Sequence, residues 1–404
     1  MPTFRYRAVS SSGQVVAGVG DAPTLALLHG QIEERNLTLI FAQQTEQTAR
    51  ATEWNPLAKR ASMVQLANYS SHLAAMLAAG LPLITALEVL STESESAPLA
   101  RASSDLATAV GNGSSLSDAM REHRAVFSDL YVALVKAGEE SGSLPKILAR
   151  NAEFLEKQSE LAGRLRDALV YPGIVAGVAV LVVAAMLAFV IPRFVELLDR
   201  VGSQLPLPTR ILVFASDLLV TRWYVILAAI AVLAYLVFLA ITRPRSRRWL
   251  DEWSLRVPVI GPLMLRVAAA RFSRTLGTLL ESGLPILASL DLVRKVLDNR
   301  FLDEEVGAVG NDVRDGETIT APLKRTRVFP QMMIQMIHVG ESSGSLDQML
   351  GRVADLYEKE VDRAAKRLSV VIEPLMIVAV GGFVSFVALA LLLPMVKAIG
   401  AIGG

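Results

Sequence analysis

The sequence predicts an all-α membrane protein: two repeated cytoplasmic helical bundles, each followed by a transmembrane helix, one further transmembrane helix linking them, and a small mixed module at the N-terminus. Three observations predict it: a repeat that holds its register, uncharged runs long enough to span a bilayer, and the place of those runs within the repeat. The heptad GEESGSL at 138–144 returns as GESSGSL at 340–346. Its surroundings return with it. Gly80, Leu81 and Pro82 match Gly283, Leu284 and Pro285 at an offset of 203, and Pro172 and Pro192 match Pro374 and Pro394 at 202. One deletion between Gly113/Gly316 and Phe127/Phe329 accounts for the step, in a segment where a surface loop tolerates it. The chain is therefore two copies of a unit of about 125 residues, at 68–193 and 271–395.

Composition supports a membrane protein. Of 404 residues 52% are hydrophobic and 20% charged, with a mean hydropathy of +0.43, which is too apolar for a soluble chain of this size. Uncharged runs occupy 168–192, 223–242 and 374–396. As helices rising about 1.5 Å per residue, each crosses a hydrocarbon core of about 30 Å. The first and third runs hold the same place in the two copies, and the second lies in the linker. Two crossings alone would put the soluble domains on opposite sides, and the linking helix restores them to one. Lys157, Arg164 and Arg166 precede the first run, and Arg243, Arg245, Arg247 and Arg248 follow the second. The segment between carries only Arg193, Arg200, Arg210 and Arg222. Basic flanks stay cytoplasmic. The expected order is an N-terminal module (1–42), a flexible linker (43–60), a first cytoplasmic domain (61–170), a span (171–192) and a periplasmic loop (193–222). A second span (223–242), a second cytoplasmic domain (243–371), a third span (372–396) and a short periplasmic tail (397–404) complete it.

The elements follow in order. FRYRAV and GQVVAG read as strands, 22–35 as helical and LTLIF as a short strand, whereas the polar, aperiodic 43–53 reads as linker. Val64, Leu66, Ala67, Leu73, Met76 and Leu77 recur on one helix face, which Gly80 ends before Pro82 opens the next helix. Polar loops at 91–96 and 111–115 separate further helices. The heptad reads as a helix-end turn, with Gly142 supplying a positive φ and Pro145 opening a helix that runs into the membrane.

Catalytic patterns do not appear. There is no GxxxxGKS/T loop, no GxGxxG after a strand and no HExxH, and the four histidines (His29, His72, His123, His338) are scattered. With no cysteine there is no disulfide or thiolate chemistry. The spans hold no internal charge, which argues against a pump or ion-coupled transporter. A net charge of +1 without a basic stripe excludes nucleic acid as a partner. The start MPTFRYR lacks the apolar segment of a secretory signal, so insertion falls to the spans themselves. The residues describe a non-enzymatic membrane protein.

The repeated Gly-Leu-Pro, the AGEESGSL turn, and Tyr171-Pro172 and Ile191-Pro192 at either end of the first span, with their prolines repeated, resemble the bacterial type II secretion system F family of inner-membrane platform proteins. That family includes the homologous core protein of type IV pilus assembly. The resemblance implies a multi-pass protein of the bacterial inner membrane with its bulk in the cytoplasm. It would couple a cytoplasmic ATPase to pseudopilus assembly for export of folded proteins across the outer membrane. The alternative is the platform of type IV pilus assembly, and QLPLPTRIL at 204–212 is more similar to secretion members. The implied partners are the secretion ATPase, other inner-membrane assembly proteins, pseudopilin subunits, the bilayer and further copies of the chain. For docking, the repeated turn nominates Gly138, Glu139, Glu140, Ser141 and Gly142, with Gly340, Glu341, Ser342, Ser343 and Gly344 in the second copy. No cofactor is required. Some relatives hold calcium through carboxylates, which here map to Glu95 and Glu153. A third acidic position is Ala149, which leaves at most a weak site.

Overall fold

The computed structural model describes residues 3–10, 15–21, 30, 37–45, 61–195, 206–258 and 260–402. The chain divides into two compact units, Met1–Arg60 and Ala61–Gly404. In the first, strands β1 (Thr3–Ser10), β2 (Val15–Asp21) and β3 (Leu37–Thr45) form an antiparallel sheet in the order β2-β1-β3. Alternating aromatic, β-branched and polar residues suit such a pleated surface. Tyr6 stands opposite both Gly18 and Ala42, and the β3 pairing shifts register between Arg7 and Ala8. Residues 43–45, read from their polarity as the start of the linker, instead complete β3. Gln43, Gln44 and Thr45 pair with Arg5, Phe4 and Thr3, because ladder hydrogen bonds do not depend on apolar side chains. The rest of that linker, and nearly all of the helical segment read at 22–35, lie outside the described residues.

The second unit is helical. Helix α1 (Met63–Ala78) starts at a reciprocal cap: Ser62 Oγ accepts the Gln65 amide, and Gln65 Oε1 accepts the Ser62 amide. Helix α2 (Leu83–Glu93) opens after Pro82, α3 (Ala97–Gly111) carries Pro98 in its first turn, and Ser115 and Ser128 cap α4 (Leu116–Glu122) and α5 (Asp129–Glu140). Helix α6 (Leu144–Ala185) keeps Pro172 in its interior and passes into a π-helical turn at Met186–Val190. Then come α7 (Leu207–Val220), α8 (Trp223–Thr242) and α9 (Pro244–Arg256). The earlier helix order recurs as α10 (Ile260–Glu281), α11 (Ile286–Val296), α12 (Arg300–Arg314), α13 (Thr320–Thr326), α14 (Gln331–Ser343) and α15 (Leu346–Ile402).

One apolar cluster runs through both helical groups, from Leu73, Leu87 and Phe127 to Phe272, Leu276 and Met333. Polar bridges join them at its edge. Arg150 on α6 donates to the Glu281 carbonyl at 2.6 Å and its carboxylate at 2.5 Å, and Lys295 reaches Asp129 at 2.7 Å. The hydrogen bond from Lys295 holds the Asp129 carboxyl below its ordinary pKa. The groups differ inside. In the first, Tyr69 pairs with Ser103 at 3.1 Å and Tyr131 with Ser70 at 2.8 Å, all four buried. In the second, Phe272, Val306 and Met333 stand where Tyr69, Ser103 and Tyr131 stand in the first, so the buried Ser273 hydroxyl has no partner.

Three helical stretches are long and apolar enough to cross a membrane: α6 with its extension (Leu144–Val195), Trp223–Ala240 in α8 and Pro374–Leu393 in α15. None of the apolar window of α8 is buried. The segment 193–222, read as the periplasmic loop between the first two spans, carries α7, which packs on the first and third of these helices. Ile191, Leu212, Val387 and Ala390 form a small core there. Thr209 donates to the Ala390 carbonyl and Ser216 to the Leu187 carbonyl, both at 2.6 Å. The second bond has a local cause. Leu187 lies in the π turn, and the residue five positions on is Pro192, which has no N–H to offer, so the Ser216 hydroxyl supplies the donor.

Candidate functional site

The repeated turn closes α5 in the first helical group and α14 in the second. Gly142 has φ +64° and Gly344 φ +69°, the left-handed conformation that glycine adopts without Cβ strain. Each reverses the chain in the same way: Ser143 N donates to the Gly138 carbonyl, and Ser345 N to the Gly340 carbonyl, both at 2.9 Å. These are the long-range bonds of a Schellman-type helix end. Gly138 and Gly340 are buried for a separate reason. A Cβ on Gly138 would lie 3.2 Å from Ile147 Cβ and Leu144 Cα, and one on Gly340 would lie 2.8 Å from Met349 Cβ. The first turn of the following helix therefore packs directly on the last turn of the preceding one.

The glutamates face inward. Glu139 accepts the backbone amides of Leu116 at 2.5 Å and Ser117 at 3.1 Å. Glu341 accepts those of Ile319 at 2.7 Å and Thr320 at 3.3 Å, and the Thr320 hydroxyl at 2.6 Å. These amides start α4 and α13, where backbone donors have no partner within their own helix. Each carboxylate thus caps a short helix from a distant point in the chain, which ties the end of α5 to the start of α4, and α14 to α13. The serines serve the turn itself. Ser141 donates to the Ala137 carbonyl at 2.7 Å and lies 2.7 Å from Ser143; Ser343 donates to the Val339 carbonyl at 2.8 Å and lies 2.6 Å from Ser345.

Of the ten nominated residues, Glu140, Ser141, Gly142, Ser342, Ser343 and Gly344 are exposed, whereas Gly138 and Gly340 are buried and Glu139 and Glu341 are half-buried. The sequence nominates Glu139 and Glu341 for docking and does not reveal the cap. The available signal was the paired recurrence of polar helix starts, GNGSSLS at 111–117 and RDGETIT at 314–320, upstream of each turn. Beside the second turn, an open groove of about 550 Å³ is lined by Leu280, Ile286, Glu317, Glu341, Gly344 and Asp347, among others. Glu95 and Glu153 are both exposed, and among the described residues no three His, Asp or Glu side chains are grouped to hold a metal.

Comparison with known proteins gives these repeated features a family. The family model described as type II secretion system (T2SS), protein F matches residues 69–192 and matches again at 272–394. The chain belongs to the type II secretion system protein F family. The model of that family's N-terminal domain matches residues 1–42. The chain is 38% identical to type IV pilus assembly protein PilC of Thermus thermophilus, over 99% of each chain. It is 34% identical to type II secretion system protein F of Xanthomonas campestris pv. campestris, over 100% of each, and 31% identical to that of Vibrio cholerae, over 98% of each. Relatives along the whole chain are thus named for two systems, type II secretion and type IV pilus assembly.

Proposed function

We propose that this chain is a multi-pass platform in the bacterial inner membrane, at which a cytoplasmic ATPase drives assembly of pilin-like subunits into a fibre. The observation that carries the reading is the double match to one secretion family, with relatives along the whole chain named for type II secretion and for type IV pilus assembly. On this reading each copy is a cytoplasmic helical bundle followed by a crossing, and α8 supplies the third crossing that returns both bundles to one side. Apolar helices such as α8, which the other described residues leave uncovered, need lipid around them. Type II secretion of folded proteins is the first reading. Pilus assembly stands beside it, because the Thermus thermophilus relative is named for that system.

Docking falls to the exposed tips of the two turns, Glu140 to Gly142 and Ser342 to Gly344, on the cytoplasmic side. Glu139 and Glu341 hold those tips in place by capping α4 and α13. Other inner-membrane components, pilin-like subunits and further copies of the chain are the remaining partners; no catalytic step is assigned. Calcium at Glu95 and Glu153 stays weak at most, and calorimetric titration of the full chain with calcium should give no binding heat.

Deleting the gene and assaying both outputs tests the proposal. Periplasmic retention of a normally secreted enzyme with intact pili supports the secretion platform, lost pili with normal secretion supports the pilus platform, and neither defect overturns both.

A further inference from the structure

Helix α9 follows the end of α8 after a single residue, Arg243, so its position is tied to that of an apolar helix which the described residues leave uncovered. One face of α9 is held by the second helical group. Asp251 accepts the Arg300 amide at 2.8 Å, Arg248 meets Glu304 at 2.7 Å and Arg247 meets Asp298 at 3.2 Å. These contacts join α9 to the start of α12 and fix how it is rotated.

In that rotation Trp249 and Trp253, one turn apart, point outward. Their rings stack with centroids 6.4 Å apart and planes 13° apart, and the residues remain 63% and 56% exposed. An indole is among the largest apolar surfaces a chain can bury, and it carries one N–H that needs a polar partner. Two indoles stacked and left outside the core suit a boundary that is apolar on one side and wet on the other. The other end of α8 has the same signature, with Trp223 and Tyr224 exposed at its start. Exposed aromatics thus stand at the start of the 20-residue apolar helix and on α9 just beyond its end, and the helix itself is about 30 Å long, the separation of the two faces of a bilayer core.

We propose that the Trp249–Trp253 pair inserts into the headgroup layer of the bilayer. There α9 lies as an interfacial anchor that fixes the height of the second helical group above the membrane. The exposed Arg243 sits between the anchor and α8, placed to meet lipid phosphate. The inference rests on the reading of α8 as a membrane crossing and adds a surface contact to it.

The chain has four tryptophans, Trp54, Trp223, Trp249 and Trp253, so two variants of the full chain separate the claims. Both are reconstituted into phosphatidylcholine/phosphatidylglycerol vesicles with lipids brominated either near the headgroup or near the acyl terminus. W54F/W223F leaves the pair; W54F/W249F/W253F leaves Trp223 alone as a reporter of α8. The pair should emit at shortened wavelength and be quenched several-fold more by shallow than by deep bromines. Emission typical of water, or shortened emission that no bromine quenches, overturns the anchor; the second result would place the pair against protein, such as another copy. If Trp223 is quenched and the pair is not, only the anchor fails. If neither is quenched, the reading of α8 as a crossing fails with it. Should W54F/W223F not insert, the difference in quenching between the unsubstituted chain and W249F/W253F supplies the same quantity.

Discussion

Replacing Glu139 by glutamine tests whether the turn's carboxylate caps α4. The native carboxylate accepts two amides, at 2.5 Å from Leu116 and 3.1 Å from Ser117. Glutamine keeps one acceptor oxygen and turns an NH2 donor toward the other amide. One charge-assisted bond is lost, worth about 1.5–3 kcal/mol net where water is excluded. The site is half-buried, so water recovers part of the loss and the expected cost is about 1–2 kcal/mol. That corresponds to about 5- to 30-fold in the opening equilibrium of the capped segment. Hydrogen exchange of the detergent-solubilised chain, read at the Leu116 and Ser117 amides, measures it directly. Glu140→Gln is the control: its exposed side chain lies 3.7 Å from Lys136, and such pairs contribute about 0.3–0.5 kcal/mol. Equal exchange at Leu116 and Ser117 in the two variants would refute the cap. The comparison also corrects a tempting assay. On the proposed reading, charge reversal at Glu139 disturbs docking at the turn by unseating the cap even where a partner never touches that carboxylate, so co-purification is read together with the exchange measurement.

Two further outcomes follow from the same geometry. Gly340→Ala should lower the denaturant midpoint more than Gly138→Ala, because the added Cβ meets Met349 Cβ at 2.8 Å in one case and Ile147 Cβ at 3.2 Å in the other; overpacking of this kind costs about 1–3 kcal/mol, and equal midpoints would contradict the asymmetry. Burial pushes the Tyr69 hydroxyl from 10.0 up to about 12, and raises Tyr131 as well. The unfolded chain therefore loses these protons first as pH rises. The Tyr69 contribution to stability is complete below pH 10.0 and is lost as pH climbs through about 12, Tyr131 acts in the same direction, and the double variant Tyr69→Phe, Tyr131→Phe should flatten that alkaline decline in unfolding curves.

Much of the helical unit was legible in the chain because its signals are local. Gly80, Gly142, Gly283 and Gly344 adopt positive φ where the sequence placed helix ends, and Pro82 and Pro285 open helices by their fixed φ. Local signals misled where pairing is supplied from elsewhere. Gln43, Gln44 and Thr45 look like linker until β1 stands beside them. Residues 207–220 form a helix within the segment between the first two apolar runs, and only the fold shows it docked, through Thr209 on the Ala390 carbonyl and Ser216 on the Leu187 carbonyl.

The sequence by itself determined the register of the repeat, the three apolar helices and the conformation of the turn, since each depends on residue type and spacing within a few turns of chain. Tertiary structure alone decided what the turn's glutamates do and where the tryptophans face. The partners of Glu139 lie 22 and 23 residues away, and those of Glu341 lie 21 and 22 away. A carboxylate reads the same in sequence whether water or a helix start satisfies it. The rotation of α9 is set likewise by its Asp251, which accepts the Arg300 amide at the start of α12, and that docking leaves Trp249 and Trp253 outside the core.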